Sequence, residues 1–120
     1  MTMQPTAADR REHQRYPMEN SVSVSPHGVF QVMDISKGGF CFKCPPYTPI
    51  SDLWETDIVT SVATLEGFPV SRIWVSMTEN STHAYLPMSV GVKFGKLSQK
   101  QNTELLHVIE GISDSEGTEH

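Results

Sequence analysis

Asp34 and Ser36 stand two residues apart, just ahead of Gly38 and Gly39, in the stretch Asp34-Ile35-Ser36-Lys37-Gly38-Gly39-Phe40. On an extended backbone, side chains two apart project from one sheet face, so a carboxylate and a hydroxyl would lie side by side while Ile35 points to the other face. A carboxylate accepts two parallel hydrogen bonds, which suits a planar partner with adjacent N–H donors, such as the edge of a guanine or an arginine. Gly38 and Gly39 permit positive φ and remove two side chains, so a flat ligand could approach the backbone closely. The same residues also make an ordinary turn in which Asp34 and Ser36 bond the local backbone. Spacing alone leaves both readings open.

Upstream lies a cluster of arginines, Arg10, Arg11 and Arg15. Arg11 and Arg15 are four apart, which places them on one side of a helical turn, or up to roughly 13 Å apart on an extended chain. Either arrangement could grip a ligand with two anionic groups. Guanidinium is planar, permanently charged, takes phosphate oxygens in pairs and stacks on bases, so arginine suits that task better than lysine. The alternative is a solvated, disordered arm with Asp9 and Glu12 as local partners.

The elements that must carry these residues read mainly as β. Residues 1–9 form a polar, disordered lead-in, and 10–19 form the basic arm, which Pro17 keeps from continuing as a helix. Val22 and Val24 alternate with serines as a first strand, Ser25-Pro26-His27-Gly28 turns the chain, and Val29 to Met33 returns antiparallel to deliver Asp34. After the glycines, Phe40 and Phe42 share a face that can plug a core, with Cys41 facing away. The proline-rich stretch Cys44 to Pro49 is a loop. Ser51 to Asp57 should cross one end of the fold, with Trp54 as core. Asp57–Leu65 and Phe68–Met77 read as a hairpin turning at Glu66-Gly67, Glu79 to Thr82 as a turn, and Ala84–Phe94 as a last strand with Pro87 at an edge or bulge. Ser98 and Gln101 fit a capping box, Leu105, Leu106, Val108 and Ile109 give a helical stripe, and Gly111 is placed as the stop. Residues 112–120 read as an acidic, unstructured tail.

Composition bounds the function. With 120 residues and a formal net charge of −5, the chain reads as one domain without the broad basic surface that nonspecific nucleic-acid binding requires. No apolar run approaches the roughly 20 residues that span a bilayer, and the N-terminus lacks the features of a signal peptide, so the expected location is the cytosol. Cys41 and Cys44 form a C-x-x-C, but residues three apart on a strand face opposite ways, and no second pair of ligands lies nearby. Reduced thiols, rather than a zinc or redox site, are the expectation.

Taken together, Arg11-Glu12-His13-Gln14-Arg15 and Asp34-Ile35-Ser36-Lys37-Gly38-Gly39 resemble the R-x-x-x-R and [D/N]-x-S-x-x-G motifs of the PilZ domain family, with Arg10 as the extra preceding arginine. Gly91-Val92-Lys93-Phe94 followed by Leu97-Ser98 is similar to that family's last strand running into its C-terminal helix. The resemblance implies a small six-stranded antiparallel β-barrel with a C-terminal α-helix, its domain spanning 10–111 with the barrel at 20–95 and the helix at 98–110. It implies cyclic di-GMP, a bacterial second messenger, as ligand. Arg11 and Arg15 carry over as phosphate and guanine-edge contacts, Asp34 and Ser36 as guanine contacts, and Gly39 as the motif glycine; Gly38 is added on physical grounds.

The function expected is therefore a receptor without catalytic activity or cofactor, regulating motility or biofilm formation through a downstream protein partner, with no DNA or RNA and no membrane insertion. A PilZ-like adaptor that binds a protein without nucleotide is the alternative. A hydrolase ranks lower for want of a nucleophile–base pair or metal cluster, and an oligonucleotide-binding barrel for want of basic aromatic surface.

Overall fold

The computed structural model of the chain describes residues 14–77 and 87–117, with side chains through 112. Seven strands and one helix follow in order: β1 Tyr16–Pro17, β2 Val22–Ser25, β3 Gly28–Ile35, β4 Gly39–Cys44, β5 Leu53–Val59, β6 Thr64–Met77, β7 Met88–Phe94 and α1 Gln99–Gly117. All pairings are antiparallel. The order β3-β2-β5-β6-β7-β4 closes on itself through β3–β4, and β1 adds to the outside along β3. The expected six-stranded barrel with a C-terminal helix is thus present, with one further short strand formed by the end of the arginine arm.

Closure leaves a single interior, filled by Phe30, Val32, Ile35, Phe40, Phe42, Ile58, Leu65, Phe68, Val70, Val90, Val92 and Phe94. Phe40 and Phe42 do plug it: their rings are 5.9 Å apart, and Phe42 stacks on Phe30 at 5.3 Å. Trp54 forms part of the wall, with its ring edge-on to Phe42 and to His27. The expected hairpin turn lies at Pro26-His27, and His27 Nε2 accepts a hydrogen bond from the Ser51 N–H, pinning the proline-rich loop to it.

Two expectations need correction. Leu53–Asp57 is strand, not a crossing segment, and the β5–β6 turn lies at 60–63 instead of Glu66-Gly67. Thr60 explains the shift: its Oγ1 accepts from the N–H groups of Val62 and Ala63, folding a stretch whose β propensity suggests strand. Gly67 does take the positive φ that its type allows, but within β6, where Glu66 and Gly67 together oppose Asp57 as a bulge and the Gly67 N–H donates to Asp57 Oδ1 at 2.8 Å. The last strand begins at Met88; residues 78–86, including Glu79–Thr82 and Ala84, lie outside those described.

The helix also runs further than expected. Its capping box is formed, with the Gln101 N–H donating to Ser98 Oγ and the Ser98 N–H to Gln101 Oε1, both at 3.0 Å. Gln101 Nε2 additionally donates to the Gly67 carbonyl, docking the helix start onto the β6 bulge. Leu105, Val108 and Ile109 seal the barrel. Gly111 does not stop the helix, which continues to Gly117 through residues read as tail. A Cβ at Gly111 would lie 3.0 Å from a Val62 methyl, so the glycine fits a close approach of the 60–63 turn. The expected lead-in at 1–9 and the tail end at 118–120 lie outside the described residues.

Ser98→Ala removes one bond of the reciprocal cap, and the expected outcome is a loss of about 1 kcal/mol in urea unfolding, with the native far-UV spectrum retained.

Candidate functional site

A barrel strand alternates inward and outward side chains, so Phe30 and Val32 pointing inward would carry Asp34 inward as well. That does not happen. The β3–β4 register shifts between Val32 and Asp34: Val32 pairs Phe42, Asp34 pairs Cys41, and Met33 is the extra residue. The bulge resets the alternation so that Ile35 enters the core and Asp34 turns out. Cys41, between the inward Phe40 and Phe42, shares Asp34's outer face.

The arm meets Asp34 there. β1 pairs β3 with Tyr16 opposite Ile35 and Pro17 opposite Asp34. This register delivers Arg15 to the carboxylate, and Arg15 Nη1 donates to Asp34 Oδ1 at 2.7 Å with the two side chains 29% and 30% exposed. The two sequence motifs are thus joined across 19 positions. A pair this open to water is worth at most about 1 kcal/mol, so another charged or hydrogen-bonding partner can displace either member. Arg10 and Arg11 lie outside the described residues.

Ser36 is only 6% exposed. Its Oγ accepts from the N–H groups of Gly38 (3.1 Å) and Gly39 (3.3 Å), while its own N–H donates to the Gly39 carbonyl at 2.8 Å. The hydroxyl therefore follows the local-turn reading, not the side-by-side presentation with Asp34. Neither Gly38 nor Gly39 has positive φ; among the described residues the glycines that do are Gly28 and Gly67. Gly39 is required for another reason: a Cβ there would overlap the carbonyl oxygen of Val92 on β7. The Gly38 carbonyl accepts from the Phe94 N–H at 2.8 Å, tying the same turn to the end of that strand.

Following the register outward from Asp34 reveals a residue that the sequence reading left among strand residues. Asp34 pairs Cys41, Cys41 pairs Gly91, and Gly91 pairs Trp74. A second bulge, between Arg72 and Trp74, turns Trp74 to this outer face, where it is 40% exposed and its indole covers the Cα of Gly91. An ion pair and an indole thus stand at opposite ends of a row whose middle members are Cys41 and Gly91, roughly 14 Å apart by three inter-strand steps. The available signal was a glycine inside the last strand, since such a glycine often marks a close approach.

Cys41 is 8% exposed. Burial pushes its thiol up to about 11, reinforced by Asp34 and partly opposed by Arg15 and Lys43. Burial also raises the Cys44 thiol. Both cysteines are free, and among the described residues no group of His, Cys, Asp and Glu side chains could hold a metal ion.

The sequence matches no protein-family model and no curated protein sequence. Solved structures do match. The PilZ domain of YcgR from Escherichia coli, solved with c-di-GMP, superposes with a TM-score of 0.69 at 13% identity, over 88% of this chain and 93% of that one. The MrkH–c-di-GMP complex of K. pneumonia gives 0.74 at 13% identity over 92% of this chain, which spans 56% of MrkH. The Legionella protein Lpg0364 gives 0.63 at 13% identity, with 87% and 98% covered. At these identities the likeness is one of fold, and the fold is PilZ-like.

Two outcomes follow from this geometry. Gly39→Ala is expected to lower stability by about 3 kcal/mol or more in urea unfolding, because the clash is with backbone that cannot rotate away. The raised Cys41 thiol favours the folded state while protonated, whereas the unfolded chain ionises from its ordinary value near 9. Stability should therefore fall as pH rises from about 9 to 11, by about 2–3 kcal/mol, and Cys41→Ser should flatten that fall in pH-dependent unfolding.

Proposed function

We propose that the protein is a non-catalytic receptor for cyclic di-GMP. The observation that carries this reading is the Arg15–Asp34 contact, which brings the arginine arm and the strand-turn motif to one point on the outer barrel face. The c-di-GMP-bound structures of YcgR and MrkH, which share the fold, support it.

The chemistry proposed is an exchange of partners. The guanine Watson–Crick edge offers two parallel N–H donors, which satisfy the Asp34 carboxylate as well as Arg15 does. Arg15, once released, is free for the O6/N7 edge or a phosphate, with Arg11 as the second phosphate contact and Arg10 as an auxiliary. Ser36 and Gly38 act by holding the turn that places Asp34, and Gly39 by letting that turn sit on β7. The second guanine of the dinucleotide reaches Trp74 and stacks there, with Cys41 and Gly91 leaving the space between.

Signalling is proposed to pass through the arm. Beyond Pro17 the chain enters the core at Met18 and lines a cleft of about 380 Å³ with Thr60, Val62, Gly111 and Ile112. Rearrangement of the arm on the ligand changes this surface beside the helix, and a downstream protein partner reads it.

Calorimetric titration of cyclic di-GMP into the protein tests the reading. Saturable binding is expected, weakening with added salt. Arg15→Ala and Asp34→Ala should each weaken it at least about tenfold, equivalent to about 1.4 kcal/mol. Trp74→Ala should weaken it by about 5- to 150-fold, the range set by about 1–3 kcal/mol of stacking, and ligand should quench Trp74 fluorescence in a Trp54→Phe background. Absence of binding by the folded protein would overturn the receptor and favour the nucleotide-free adaptor.

A further inference from the structure

The edge of β6 carries a second feature, which shares Trp74 with the proposed nucleotide site. β5 accompanies β6 only as far as Leu53 opposite Ser71, and the Arg72 N–H then donates to the Asp52 carbonyl at 2.9 Å. From Ile73 to Met77 the strand pairs β7 on one side, with Trp74 opposite Gly91 and Met77 opposite Met88. No strand among the described residues lies along its other side. These five residues, Ile73-Trp74-Val75-Ser76-Met77, contain no charge and no proline, and the four apolar ones are exposed. Natural edge strands are ordinarily protected from pairing by lysine, proline, a β-bulge, a covering loop or extreme shortness; among the described residues this segment has only the bulge at its first residue, Ile73. Arg72, which precedes the segment, is turned back to Asp52 at 2.6 Å.

We propose that this edge is a self-association surface, on which the 73–77 segment of one protomer pairs antiparallel with the same segment of a second copy about a two-fold axis at Val75. A symmetric interface must be complementary to itself. In this register Val75 faces Val75 and Ile73 faces Met77, apolar on apolar, Trp74 faces Ser76, and no like charges are opposed. That self-match favours a second copy over an unrelated extended peptide. The contact is small, below the roughly 1,200 Å² of a stable interface, and the dimer is accordingly weak and concentration-dependent. Two-fold antiparallel pairing keeps equivalent sheet faces on one side. The outer faces bearing Asp34 and Trp74 in the two copies therefore adjoin, each Trp74 beside Ser76 of the other copy.

Sedimentation velocity of the full chain without nucleotide, from micromolar to millimolar concentration, provides the test. The expected result is a monomer–dimer equilibrium. Val75→Lys and Val75→Glu, each placing like charges across the axis, should weaken association at least tenfold, and an equimolar mixture of the two variants should restore it. That restoration also shows that both variants are folded. A chain that stays monomeric to millimolar concentration would overturn the proposal. So would a dimer unaffected by either substitution, or a mixture that does not reassociate, which would leave the edge to a different partner.

Discussion

The extra residue at Met33 is the constraint from which the rest of the outer surface follows. In a closed barrel every second side chain enters the core, and a carboxylate in that phase would be stranded without water. Phe30 and Val32 set the phase, and strict alternation would have made Asp34 the next inward residue. One inserted residue sends Ile35 inward and Asp34 outward, at the cost of a local break in the ladder. The adjoining strand β1 then has a partner at Pro17–Asp34, which fixes where the arm delivers Arg15.

The same device recurs across the barrel. A bulge next to Trp74 turns the indole out over Gly91, and a third places Gly67 where its N–H meets Asp57 and its carbonyl meets Gln101 of the helix. Between the first two, Gly39 and Gly91 act by absence: one lets a turn lie on the Val92 carbonyl, and the other lets an indole lie on a strand. Cys41 sits between them as a small, protonated, buried thiol. The resulting surface has its polar groups at one end and its aromatic group at the other.

Weakness of the Arg15–Asp34 pair is part of how such a surface can respond. A partly exposed ion pair holds the arm in register without committing it, because water, salt and a competing hydrogen-bond donor all act on it. The segment just beyond it is of the opposite character, with Met18 in the core and its flanks lining a cleft against the helix. A displaceable contact thus lies next to a fixed one, and the fixed one faces the helix across the cleft.

Much of this was present in the order of residue types. The Pro26-His27 turn, the Ser98–Gln101 cap, the inward pair Phe40 and Phe42, and the two spaced motifs depend on short-range geometry, which a linear chain specifies by itself. So does the mainly β class, through alternation, and the helical close, through its change of period. The β5–β6 turn was misplaced because Thr60 and Val62 are good strand residues until the Thr60 oxygen captures the backbone, while Glu66-Gly67 looks like a turn when it is a bulge. What only the tertiary structure decided was phase and adjacency. A period of two shows which residues alternate but not where one extra residue resets the count, since bulges form where two strands of unequal demand must stay paired. Hence Asp34 and Trp74 facing out, Ser36 turned onto its own loop, and the row linking Asp34 to Trp74 all arise from register between strands distant in sequence.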